Sequence, residues 1–152
     1  MRTRIATFSA LAVLLAVGLA AAQGPGMASQ DPIANRQRLM KLIGASWADI
    51  QAKMKAGNID AVAVNAETIA VSIGHVPAFF PKDSLSPQSK AKPEIWQKWD
   101  EFANTAKNTE ALAVALRDKS RAKDKDAVEA AVKEFGAKAC GSCHTPFRMA
   151  QQ

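Results

Sequence analysis

Near its C-terminal end the chain reads Cys140-Gly141-Ser142-Cys143-His144. C-x-x-C-H is the attachment signature of a c-type haem. In that chemistry two thiols add across the porphyrin vinyl groups as thioethers, and the adjacent imidazole becomes an axial iron ligand. On a helix Cys140 and His144 lie one turn apart with Cys143 beside them, so all three can face one flat ring. These are the only two cysteines. Three other readings compete. A structural zinc needs four ligands, and Cys140, Cys143, His144 and His75 would all have to converge. A thioredoxin-like C-x-x-C opens a helix after a strand, in a βαβ context with no counterpart here. A plain disulfide leaves the histidine unexplained. One covalently attached haem c is therefore the expected cofactor.

The other end of the chain agrees. Met1-Arg2-Thr3-Arg4 is a basic leader, followed by an uncharged apolar run from Ile5 to Ala22 that ends in Ala20-Ala21-Ala22. Residues 1–22 read as a secretory signal peptide, with cleavage expected before Gln23. A membrane anchor fits less well, because the run is alanine-rich, of borderline length and ends at small residues. No later stretch is expected to span a bilayer. The expected product is one exported domain over 23–152, in a bacterial periplasm where haem is attached. Removing Arg2 and Arg4 lowers the formal charge of +6 by two. The remainder is mildly basic and lacks the basic–aromatic interleaving of a nucleic-acid binder. A lysine-rich solvated surface follows, open to docking with redox partner proteins.

The domain reads as all-helical, since alanine is abundant, tyrosine is absent and no segment alternates like a strand. Asp31 and Pro32 mark the first helix start. Its inward stripe is Ile33, Arg36, Met40, Ile43, Trp47, Ile50 and Met54, and Gly57-Asn58 stops it. Asp60 is placed to cap a second helix carrying Val62, Ala66, Ile69 and Ile73 inward, ending near Gly74. A long connection from His75 to Lys92 contains Pro77, Pro81 and Pro87. Pro93-Glu94 open a third helix with Ile95, Trp99, Phe102 and Ala106 inward, then Leu112 and Leu116. After a charged turn from Lys119 to Asp126, a fourth helix with Val128, Val132, Phe135 and Ala139 runs straight into the cysteine motif. Pro146 is expected to kink or end it just after His144. The pattern is an antiparallel up-down-up-down four-helix bundle, with covalent haem held by the last helix.

Some residues have more than one reading on their own chemistry. Met40 on a buried stripe packs a core as methionines usually do, or presents its thioether to iron, since thioether and imidazole are a well-used ligand pair. Arg36 sits one turn before it, where an unpaired charge is expensive. Its guanidinium either meets an anion or snorkels to water. His75 reads as a surface residue, with axial ligation or haem-edge contact as the sharper alternative. Phe135, two turns before Cys143, is expected to wall the haem pocket. Arg38 and Lys41 read as solvent-facing. Nothing resembles a nucleophile triad, a phosphate loop or a carboxylate pair, so an enzyme is not expected.

Arg36-Gln37-Arg38-Leu39-Met40, Phe80-Pro81, Lys92-Pro93-Glu94-Ile95-Trp96 and Cys140 to Arg148 together resemble class II cytochromes c, the cytochrome c′ family. The resemblance covers the whole mature chain. It implies a four-helix bundle, often a homodimer built on helices one and two. It places His144 on the iron, Met40 on the distal side, Arg36 at a haem propionate and Arg148 on the proximal side. In the family's low-spin branch a methionine ligates iron and the protein carries electrons, which is the expectation for Met40. In five-coordinate high-spin members that position packs over an open iron face that admits nitric oxide or carbon monoxide.

Overall fold

The computed structural model describes residues 31–150. The expected signal peptide, residues 1–22, lies outside the described residues. Helix α1 spans Pro32–Lys55, and Asp31 caps it by accepting from the Ile33 N–H at 2.8 Å. The stop comes where the sequence marks it. Gly57 takes φ +72°, and the N–H groups of Gly57 and Asn58 return to the carbonyls of Met54 and Lys53 at 3.1 and 2.9 Å. That pair of bonds is a Schellman closure, which needs a left-handed residue that glycine adopts without Cβ strain.

Helix α2, Val62–His75, packs between α1 and the long fourth helix described next. Its cap position is Ala61 and carries no side-chain hydrogen bond, so Asp60 is not the cap. Asp60 pairs instead with Lys123 at 3.1 Å on the surface. The junction is held from across the bundle, where the fully buried Ser120 hydroxyl donates to the Ile59 carbonyl at 2.6 Å. Val62–Phe79 is apolar enough to pass as a membrane span by length and composition, contrary to expectation. Val62, Ala66, Ile69, Ala70 and Ile73 nonetheless face the bundle core, which accounts for that composition.

A single 3-10 turn, Val76–Phe79, leads α2 into the crossover. The third bundle element is broken in two. A one-turn α3, Glu94–Gln97, stops at Lys98 (φ −124°, ψ 49°), and α4 runs Trp99–Arg121. The break interrupts the helix but keeps its inward line, with Ile95 and Phe102 buried on either side of it. Ile95, Phe102, Ala106 and Leu116 are buried as expected, while Trp99 and Leu112 are not. Thr109 and Ala113 take the inward positions instead.

The last element also departs from a uniform helix. Helix α5, Lys125–Phe135, is capped by Asp124, which accepts from the Ala127 N–H at 3.0 Å. It passes into a π-wound turn, Gly136–Gly141, and resumes as α6, Ser142–Phe147. Pro146 lies inside α6, so the helix outlasts His144 by three residues. The chain then extends at Arg148, whose segment pairs with the crossover at Ala91. Short turns join α1 to α2 and α4 to α5, so neighbours run antiparallel in a four-helix bundle. Burying side chains such as Ile50, Ile69, Phe102, Leu116 and Val128 stabilises it by roughly 1.5–3 kcal/mol each.

Candidate haem site

Two adjoining cavities open between α1 and the end of the last helix. The larger has a volume of about 510 Å³ and the smaller about 50 Å³. The former is within the size range of cofactor sites, about 300–1,000 Å³. Met40, Val76, Cys143 and His144 line both. Arg36 and Arg148 line the larger, Cys140 and Phe135 the smaller. The structure thus gathers Cys140, Cys143, His144, Met40, Arg36, Phe135 and Arg148, from two stretches of chain, around one space. His75 lines neither cavity and is exposed at the end of α2.

Each wall has a local cause. Met40 follows Arg36 by one turn on α1. Arg36 is only 4% exposed, which sets aside the snorkelling reading. The crossover folds around its guanidinium: Nη1 donates to the Phe79 carbonyl and the Ser84 hydroxyl at 3.3 and 3.1 Å. Nη2 donates to the Ser84 carbonyl and the Ser89 hydroxyl, both at 2.7 Å. The Phe80 ring lies 4.6 Å beneath the guanidinium carbon, a cation–π contact. Burial pushes the Arg36 pKa down and the Asp31 charge opposes that shift. The Phe135 ring stacks on Trp47 at 5.1 Å and joins the last helix to α1.

Cys140 and Cys143 are both free thiols. Burial raises the pKa of each, and for Cys143 burial and then the neighbouring Cys140 push it up to about 11. Both are therefore protonated at neutral pH. The His144 pKa is lowered, by burial first and then by the Arg148 charge, so its imidazole is neutral and has a lone pair to offer. Arg148 is brought beside it because its N–H bonds the His144 carbonyl at 3.0 Å. Beyond that point the tail is stitched to the crossover. The Lys92 N–H donates to the Phe147 carbonyl at 3.0 Å, and the Met149 N–H to the Lys90 carbonyl at 2.8 Å.

This donor set fits a c-type haem. Two thiols and a neutral imidazole sit on one helix end, a thioether stands on the facing helix, and the remaining lining is mostly aliphatic and aromatic. The charged residues lining the larger cavity are Arg36, Lys41, Lys90 and Arg148, all cationic, which suits a ring edge carrying two carboxylates. Lys41 is solvent-exposed as expected and also borders this space. Zinc does not fit: among the described residues no three His, Cys, Asp or Glu side chains converge to hold a metal ion.

Sequence reasoning passed over Thr109, a buried lining residue of the smaller cavity. The signal was present, since it stands three residues after Ala106 and seven after Phe102, a polar residue on the inward stripe.

Comparison with known proteins agrees with the geometry. The family model described as Cytochrome C' matches residues 31–148. A cytochrome c′ from Rhodopseudomonas palustris is 30% identical over 152 residues, covering 97% of each chain. A cytochrome c-556 from Agrobacterium tumefaciens is 32% identical over 120 residues, 77% of this chain and 96% of that one. The match to a cytochrome c-554 from Cereibacter sphaeroides, 36% identical, spans about half of each, 47% of this chain and 48% of the relative. Among solved structures, a cytochrome c′ with ligand-controlled dimer dissociation superposes with a TM-score of 0.72 at 24% identity, over 82% of this chain and 99% of that one. A nitric oxide complex of a cytochrome c prime mutant from Alcaligenes xylosoxidans gives 0.70 at 22% identity, over 80% and 95%. The fold, the two cysteines at the helix end and the family match meet in one conclusion: the chain belongs to the cytochrome c′ family, c-type cytochromes with one covalently attached haem c.

Proposed function

We propose that the protein is a periplasmic carrier of single electrons between redox partner proteins, of the low-spin type in which Met40 is the second axial ligand. The observation that carries this is that Met40 and His144 line both cavities from facing sides of the bundle. Haem supplies a one-electron ferric–ferrous couple when bound. The chain's own residues supply the rest. Neutral His144 offers a nitrogen, and Met40 offers a thioether from a helix anchored one turn away by Arg36. Held ligands keep reorganisation small when the charge changes. Arg36 and Arg148 offset carboxylates at the ring edge, and Phe135 closes the inner end. Side-chain catalysis is not part of this reading, because His75, the one candidate acid–base group, lines neither cavity. Leu42, Val64 and Val71 form exposed apolar positions on α1 and α2 where a second copy would pack.

A second reading has a specific support. The Alcaligenes xylosoxidans neighbour of the same fold was solved as a nitric oxide complex. On that reading Met40 packs over a five-coordinate iron and the protein captures nitric oxide or carbon monoxide. Met40→Ala separates the two. Ligation requires the variant to change from low to high spin and to gain carbon monoxide binding. If the unsubstituted protein already binds the gas and the variant's spectrum matches it, gas binding is the function.

A further inference from the structure

The last bundle element changes its winding just where the haem cysteines begin. Gly136–Gly141 is π-wound between α-helical Lys125–Phe135 and Ser142–Phe147. Such turns are rare and concentrate at functional sites, because the widened turn re-aims the side chains that follow it. It also loosens the backbone ladder, so a carbonyl in the turn is open to side-chain donors.

One carbonyl here is taken up twice. Ala139, the residue before Cys140, accepts from the Thr109 hydroxyl on α4 at 3.1 Å and from the Ser142 hydroxyl within the motif at 3.1 Å. Thr109 is 4% exposed, and Ala106 and Ala113 beside it on α4 are buried. The small neighbours let α4 come close enough for a short side chain to reach the turn. Valine would fill the same volume, so the hydroxyl is the distinctive feature.

We infer that Thr109 is a positioning residue for the haem site, its hydroxyl pinning the Ala139 carbonyl and so setting where Cys140 stands relative to Cys143 and His144. The relation matters because three side chains must match one rigid ring. Each thiol adds its S–H across one vinyl double bond, sulfur to one carbon and hydrogen to the other, with nothing oxidised and no group leaving. A displaced Cys140 strains that linkage and tilts the imidazole three residues beyond Gly141. Ser142 holds the same carbonyl from the solvent side as a second pin. This inference rests on haem attachment and is independent of whether Met40 binds iron.

The test is Thr109→Val in the exported, haem-loaded full chain, with Thr109→Ser as the conservative partner. The expected result for the valine variant is a native far-UV spectrum with a shifted reduction potential and a fraction of chains joined through one cysteine by peptide mass mapping. The serine variant should restore both. A valine variant with unchanged potential and full double attachment would overturn the inference, as would a serine variant no better than valine. Should the valine variant fail to accumulate folded, Thr109→Ala decides: a shift in potential in its folded holoprotein supports the pinned carbonyl, and an unchanged potential overturns it.

Discussion

The Arg36 guanidinium donates to the Ser89 hydroxyl at 2.7 Å across 53 residues of chain. That bond ties the helix carrying Met40 to the crossover, and two residues later the crossover pairs with the tail that follows His144. The two faces of the haem cavity are therefore coupled through one loop. Anything that frees the loop frees both faces together.

Arg36→Gln keeps much of the side-chain stem but removes the charge and most of the four donor contacts, which lie buried or half-buried. A loss of about 2–3 kcal/mol in unfolding free energy is expected for the holoprotein by denaturant titration. Ser89→Ala removes one of those contacts and should cost about 1 kcal/mol. Equal losses for the two variants would mean the guanidinium does not organise the loop.

Ser120 carries the opposite end of the bundle. Its hydroxyl donates to the Ile59 carbonyl, and a weaker contact reaches the Asp60 carbonyl at 3.3 Å. Ser120→Ala leaves those carbonyls without that donor and is expected to destabilise by about 1–2 kcal/mol. The haem spectrum should not change, because none of the three residues lines the cavities.

On the surface, Arg117 bonds both Asp118 and Glu67, linking α4 to α2. The Arg117 contact holds the Asp118 carboxyl below its ordinary value of 3.8. A depressed folded pKa contributes stability above the unfolded value, and that contribution is lost as pH falls through the folded one. Unfolding curves of the protein and of Asp118→Asn should therefore differ most above pH 3.8 and converge at lower pH. A gap that widens with acid would reverse the sign of this coupling.

Much of this architecture was legible because periodicity and caps are local. The α1 stripe, its Asp31-Pro32 start and its Gly57 stop are each set within a turn or two, and Arg36 stood out as a charge among apolar residues. The cysteine motif and Met40 on the α1 stripe pointed to the two walls that the cavities share. What was not legible depends on distant partners. Asp60 has the chemistry of a cap, but the junction is closed from α4 by Ser120, so Asp60 is left to meet Lys123. Trp99 falls at the break beside Lys98, where it is left exposed, and Leu112 lies off the inward line that Phe102, Thr109 and Ala113 hold along α4. The π turn that carries Cys140 and the continuation of α6 past Pro146 go with contacts from Thr109 and from the crossover at Lys90 to Lys92, which no local pattern announces.

Whether Met40 closes the iron's second axial site, as proposed, is read from the optical spectrum of the purified holoprotein. It should be recorded ferric and ferrous, each with and without carbon monoxide. The expected result is a six-coordinate low-spin spectrum that the gas leaves unchanged. A high-spin spectrum that shifts on adding carbon monoxide would contradict it and make Met40 a packing residue over an open iron face.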